Sequence, residues 1–81
     1  MKSNTAEARV EKALAHPLRA RILDSLEHGT RSPRELADEL GEPLANVSYH
    51  VRQLATFGLI ELVATTPRRG AIEHHYRTAD R

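Results

Sequence analysis

The stretch SPRELADELGEPLANVSYHVRQL, Ser32 to Leu54, reads as two helices and the turn between them. Ser32 followed three residues later by Glu35 is a capping box, Pro33 occupies the first helical position, and Gly41 supplies the left-handed residue that ends a helix. This predicts a helix over Pro33–Leu40 whose inward residues are Leu36, Ala37 and Leu40. Pro43 fits the first turn of the next helix, so the two are joined by a turn of about three residues that contains glycine and makes them cross steeply. In that second helix, spanning about 43–57, Val47, Val51 and Leu54 recur at spacings of four and three and form one stripe toward a core. The other side presents Asn46, Tyr49, Arg52 and Gln53, flanked by Ser48 and His50, without a carboxylate. A helix that only meets solvent usually mixes Glu with Lys there.

Working outward toward the N-terminus, TAEARVEKALAH places Ala6, Val10, Ala13 and Leu14 on one helical face, with Asn4 or Thr5 as N-cap. PLRARILDSLEHG then puts Leu18, Ile22, Leu23 and Leu26 on a broad apolar face between Pro17 and Gly29. Arg19 and Arg21 alternate with Asp24 and Glu27 there and read as surface ion pairs. Thr30 and Arg31 are positioned to add a very short strand.

Toward the C-terminus, Gly58 is a natural helix-ending residue after which Leu59 packs back on Leu54. The period then changes: Ile60, Leu62 and Ala64 alternate with Glu61, Val63 and Thr65, TPRRGA interrupts, and Ile72, His74 and Tyr76 alternate again. That is a hairpin with an arginine-tipped loop at about 66–72. Helix, helix, short strand, helix, turn, helix, hairpin is a mainly α chain with a small β-hairpin, the winged helix-turn-helix order α-α-β-α-α-β-β. It is expected to form a single domain over 1–81, with 1–5 and 78–81 as flexible ends.

Composition narrows the setting. With 81 residues the chain suits one small domain, which needs good caps or a partner chain to be stable. It has no cysteine, hence no disulfide framework or thiolate metal site. No apolar run approaches the roughly 20 residues of a membrane span, and the polar start MKSNTAEARVEK lacks a signal peptide's apolar stretch. A soluble cytoplasmic protein is expected. The formal charge is only +1, yet residues 1–40 hold seven basic and seven acidic side chains, whereas between Pro43 and Ile72 Glu61 is the sole acid against Arg52, Arg68 and Arg69. A locally basic second half suits a phosphate-facing surface.

A helix about 10–12 Å across fits the B-DNA major groove, about 12 Å wide. On the helix of about 43–57, Asn46 and Gln53 can read adenine edges, Arg52 can bond guanine or phosphate, and Ser48 and Tyr49 can reach either. His50 can donate to a phosphate or pack against the hairpin. The N-terminus of the preceding helix, with Thr30, Arg31, Ser32 and Arg34, forms a phosphate clamp. Arg68 and Arg69 at the hairpin tip follow the backbone or enter a minor groove. Metal binding is disfavoured, since His74 and His75 point to opposite faces of a strand and His16 and His28 are too far apart. No cofactor is implied, and neither a phosphate loop nor a nucleophile elbow supports an enzyme. Two functions compete: a sequence-specific double-stranded DNA-binding regulator, and a winged-helix module that grips another protein through the Tyr49 face or the first helix.

These segments resemble the ArsR-type (ArsR/SmtB) winged-helix transcriptional regulators. ALAHPLRARILDSL is similar to that family's opening helices. Val47, Ser48, His50, Val51, Leu54, Gly58, Leu59 and Ile60 match its Val-Ser-x-His-aliphatic pattern and Gly-Leu-aliphatic exit, and RRGAIEHHYR resembles its wing. The resemblance covers about residues 10–78 and implies a bacterial or archaeal repressor that binds an operator as a homodimer, commonly released by an effector. Metal-sensing members use a cysteine pair or ligands on a last helix. This chain lacks cysteine and stops soon after the wing, whereas in the family a last helix pairs with the first; a homodimer is expected to use the first helix alone, by Val10, Ala13 and Leu14, with a monomer as the alternative.

Overall fold

Four helices and a hairpin follow one another in a computed structural model that describes residues 5–79: α1 Thr5–Leu14, α2 Pro17–Glu27, α3 Pro33–Leu40, α4 Leu44–Thr56, β1 Ile60–Arg68 and β2 Ala71–Thr78. This is the winged helix-turn-helix arrangement. Asn4, one of the two proposed caps of α1, lies outside the described residues, as do the ends 1–4 and 80–81, and Thr5 is already the first helical residue.

The α3 capping box forms as read, with the Ser32 N–H donating to Glu35 Oε1 at 2.8 Å and the Glu35 N–H to Ser32 Oγ at 3.1 Å. Gly41, at φ 67°, ends the helix. Pro43 differs slightly from expectation: it is the cap residue in extended conformation, and Leu44 is the first helical position. At the far end of α4 the Leu59 N–H bonds the Leu54 carbonyl and the Gly58 N–H that of Ala55, both at 3.0 Å. That is a Schellman ending, with Gly58 at φ 79°.

Ile22 and Leu26 of α2, Leu36 and Ala37 of α3, Val47, Val51 and Leu54 of α4, and Ile60 of β1 make the buried core. Leu18, Leu23, Leu40, Leu59 and Tyr76 pack around it. Each fully buried Val, Leu or Ile contributes about 1.5–3 kcal/mol relative to exposure, so the stripe of α4 is what fastens that helix to the body. Val10 and Leu14 of α1 stay outside this core, at 36% and 53% exposure; the side chains of Ala6 and Ala13 lie outside those described.

β1 and β2 pair antiparallel from Ile60↔Thr78 to Arg68↔Ala71. The interruption expected at TPRRGA is shorter than read: Pro67 lies within β1, paired with Ile72, and only Arg69 and Gly70 connect the strands. A bulge between Leu62 and Ala64 breaks the simple alternation, so that Thr65 and Pro67, not Ala64, share the face of Ile60 and Leu62. Arg31 pairs with Tyr76 through two backbone hydrogen bonds of 3.0 and 2.9 Å, a one-residue third strand that ties the wing to the start of α3. Among the described residues no helix is long and apolar enough to cross a membrane.

Candidate nucleic-acid interface

A groove of about 970 Å³ opens between α4, the start of α3 and the wing. Of the residues singled out in the sequence, Arg34, Ser48, Arg52, Arg68 and Arg69 line it. Its floor is set by the core stripe: with Val47, Val51 and Leu54 turned inward, helical periodicity puts Ser48 and Arg52 toward the wing and Tyr49 outward. Asn46 and Tyr49 are exposed and Gln53 half-buried, all outside the groove lining on the neighbouring faces of α4. Ala45 and Thr56 are exposed beside them, and Leu44 is 40% exposed at the groove entrance. Leu44 and Ala45 carry no polar signature, and only the burial phase of the helix reveals them.

Among the described residues, Arg34, Arg52 and Arg69 have no carboxylate within ion-pairing distance. Arg68 differs: its Nε donates to Glu73 Oε1 at 2.7 Å. Glu73 was missed in the sequence because the acid-poor window closes one residue before it, at Ile72. The signal was available in the hairpin register, which places Arg68 opposite Ala71 and therefore diagonal to Glu73 on the same face. The Ser32 side chain first, and Arg68 second, hold Glu73 below the usual carboxylate range.

Two residues assigned to the phosphate clamp are placed otherwise. Ser32 is fully buried, its hydroxyl accepts the Glu35 N–H and it lowers the pKa of Glu73 on the wing, so it serves the junction between α3 and the wing and presents nothing to a ligand. Arg31 turns to Glu39, at 3.3 Å, and to the Thr30 carbonyl, at 3.1 Å, and does not line the groove. The backbone donors of the clamp are also mostly spent. Pro33 has none, those of Ser32 and Glu35 close the capping box, and the Leu36 N–H bonds the Ser32 carbonyl. The Arg34 N–H and side chain remain.

On the opposite flank of α4, His50 Nδ1 accepts from Arg19 Nε at 2.9 Å, and the His16 ring lies 5.4 Å away. Burial, the Arg19 charge and His16 lower the His50 pKa from its ordinary 6.5. Arg19 is 5% exposed and sits over the Phe57 ring. The surface ion pairs expected of α2 are therefore corrected: Arg19 is a buried strut between α2 and α4, and Arg21 reaches the helix-turn-helix turn through Glu42 and the Leu40 carbonyl. His75 is engaged by Thr66 at 2.9 Å, and among the described residues no three His, Asp or Glu side chains gather as metal ligands.

The arrangement defines a winged helix-turn-helix protein whose second motif helix and wing frame a basic groove. A family described as a helix-turn-helix domain matches residues 14–63. The HTH-type transcriptional regulator CmtR of Mycobacterium bovis is 45% identical over 56 residues, 69% of this chain and 48% of the relative. The chain thus spans about half the length of the curated relatives it matches. The solution structure of the homodimeric winged helix-turn-helix DNA-binding domain (fragment 1–100) Mb0332 from M. bovis, a possible ArsR-family transcriptional regulator, superposes with a TM-score of 0.73 at 36% identity, covering 93% of this chain and 65% of that one. The cadmium metal-sensor CmtR from Mycobacterium tuberculosis gives 0.71 at 38% identity, covering 90% and 71%. The chain belongs to the helix-turn-helix family so described and, within it, to the ArsR-type winged-helix regulators.

Proposed function

We propose that this chain is a sequence-specific double-stranded DNA-binding transcriptional regulator, acting in the cytoplasm as a repressor. One observation carries the reading: the exposed face of α4 holds no carboxylate and borders a groove where Arg34, Arg52 and Arg69 lack acidic partners among the described residues. Those cations meet phosphates, with Arg68 beside them in its pair with Glu73; Asn46, Ser48, Tyr49 and Gln53 meet base edges or the adjoining backbone. Arg31 and Ser32 hold the framework, and His50 aligns α4 through Arg19. The DNA-binding and homodimeric description of the Mb0332 fragment supports the same assignment. A homodimer would use Val10 and Leu14, with Ala13, on α1. Cadmium sensing is not carried over from CmtR, because these 81 residues offer no thiolate to a soft cation.

A protein-gripping module is the less supported reading, since a docking helix lays an apolar face in a groove whereas Tyr49 is flanked by Arg52 and Gln53. Selection of bound sequences from random duplexes tests the proposal. It predicts a palindrome with half-sites about one helical turn apart, roughly 34–36 Å, or multiples of that spacing. Recovery of no enriched sequence rejects it.

A further inference from the structure

We propose that Glu73 is a counter-charge built into the wing, which holds Arg68 and cancels most of its contribution to phosphate attraction, so that Arg69 is the wing's working cation. This rests on the DNA-binding reading above and deepens it.

The two arginines are adjacent in sequence but differ in surroundings. Arg68 closes β1 and donates Nε to Glu73 Oε1 at 2.7 Å, with its own side chain 64% exposed and that of Glu73 12% exposed. Arg69 sits in the two-residue connection beside Gly70, exposed, with no carboxylate partner among the described residues. Glu73 is the fixed member of the pair, because its side chain is nearly buried while that of Arg68 is mostly exposed. Its charge therefore stays at the groove wall whatever Arg68 does. A phosphate approaching Arg68 meets a guanidinium and a carboxylate together, with a summed charge near zero. Such a pair neutralises little phosphate charge and so releases few of the counterions condensed on the duplex. Glu73 also lines the groove, and among the described residues it is the one acid that does so.

The test is the salt dependence of duplex binding by the whole chain, measured with a sequence recovered by selection and with a random duplex. Each effective cation removed flattens the slope of log affinity against log salt by roughly 0.9. Arg69→Ala is expected to flatten the slope by about that amount, while Arg68→Ala leaves it nearly unchanged. Both side chains are exposed, so neither substitution threatens folding. Glu73→Gln keeps the side chain's shape and one acceptor oxygen for Arg68 while removing the charge. It is expected to steepen the slope by up to roughly 0.9 and to tighten binding to random duplex at low salt. In the Glu73→Gln background, Arg68→Ala should now flatten the slope as Arg69→Ala does. Equal flattening by Arg68→Ala and Arg69→Ala in the unaltered chain overturns the counter-charge while leaving the DNA-binding reading intact. Absence of any salt-dependent duplex binding overturns both.

Discussion

Ser32 carries more than a helix cap, and replacing it separates its two duties. Its oxygen accepts the Glu35 N–H at 3.1 Å, the side chain holds Glu73 below the usual carboxylate range, and it is fully buried. Ser32→Ala removes the cap, worth about 1 kcal/mol, and in addition removes the side chain that favours the Glu73 carboxylate. In a domain of this size each 1 kcal/mol moves the melting temperature by roughly 4–8 °C, so a fall of at least that size is expected. The discriminating variant is Ser32→Asp. Aspartate caps helices as well as serine does, so a residue that were only a cap would be rescued. Here the new carboxylate has no proton to give and faces Glu73, and like charges brought together out of water are strongly unfavourable. Ser32→Asp should therefore melt no higher than Ser32→Ala. Thermal and urea unfolding followed by circular dichroism at neutral pH measure this, with an unchanged urea m-value confirming that the unfolding unit is the same. Restoration of the parent melting temperature by Ser32→Asp refutes the proposed junction.

Other outcomes follow from the same geometry. Burial and Arg19 depress the His50 pKa below 6.5, so the unfolded chain binds that proton more readily; the stability it contributes is full above about 6.5 and is lost as pH falls through the folded-state value. His50→Asn, which keeps an acceptor near Nδ1 but cannot titrate, should flatten the decline of stability with falling pH below that point, and superimposable profiles for the two proteins sink the argument. Gly58→Ala, at φ 79° with no atom within 4 Å of the added Cβ, is expected to cost about 1–2 kcal/mol for backbone conformation alone, read by urea unfolding. Leu36→Ala, at a fully buried position, should cost about 2–5 kcal/mol and broaden or abolish cooperative melting. Arg34→Ala combined with Arg52→Ala should flatten the salt slope by roughly 1.8, or about twelvefold in relative affinity between about 50 and about 200 mM salt, whereas Tyr49→Ala should relax sequence preference at near-constant slope.

What the sequence made legible were features whose cause is local. The capping box at Ser32, the glycine endings at Gly41 and Gly58, and the stripe of Val47, Val51 and Leu54 each depend on residues within a few positions of one another, and each forms. Less legible were features decided across the fold. Arg19 reads as a surface charge because its neighbours Asp24 and Glu27 are acidic. Its actual partner, His50, is 31 residues away, and desolvation is tolerated because the imidazole accepts and Phe57 covers the guanidinium. Arg31 and Arg68 are drawn to Glu39 and Glu73, pairings visible only once α3 and the hairpin have their final registers. The Leu62/Ala64 bulge, which rotates the wing's faces, has no turn residue to announce it.

These long-range contacts explain how so small a body can aim a helix and a wing at one groove. α4 is fixed along its inner face by the core and at one flank by Arg19 bonding His50, which leaves rotation about its axis little freedom. The wing is fixed separately, by the Arg31–Tyr76 bridge and by the Ala79 N–H on the Leu59 carbonyl. Ser32 belongs to both systems, because the helix it caps packs against α4 and its side chain lowers the pKa of Glu73 on the wing. The groove between them thus has its width set by contacts behind it, while Arg34, Arg52 and Arg69 in front remain uncommitted. A surface that neutralises phosphates must keep its cations unpaired, and a small domain must spend its polar side chains on structure. On the proposed reading the two demands are met by different arginines: Arg19, Arg21 and Arg31 serve the framework, and Arg34, Arg52 and Arg69 stay uncommitted at the groove.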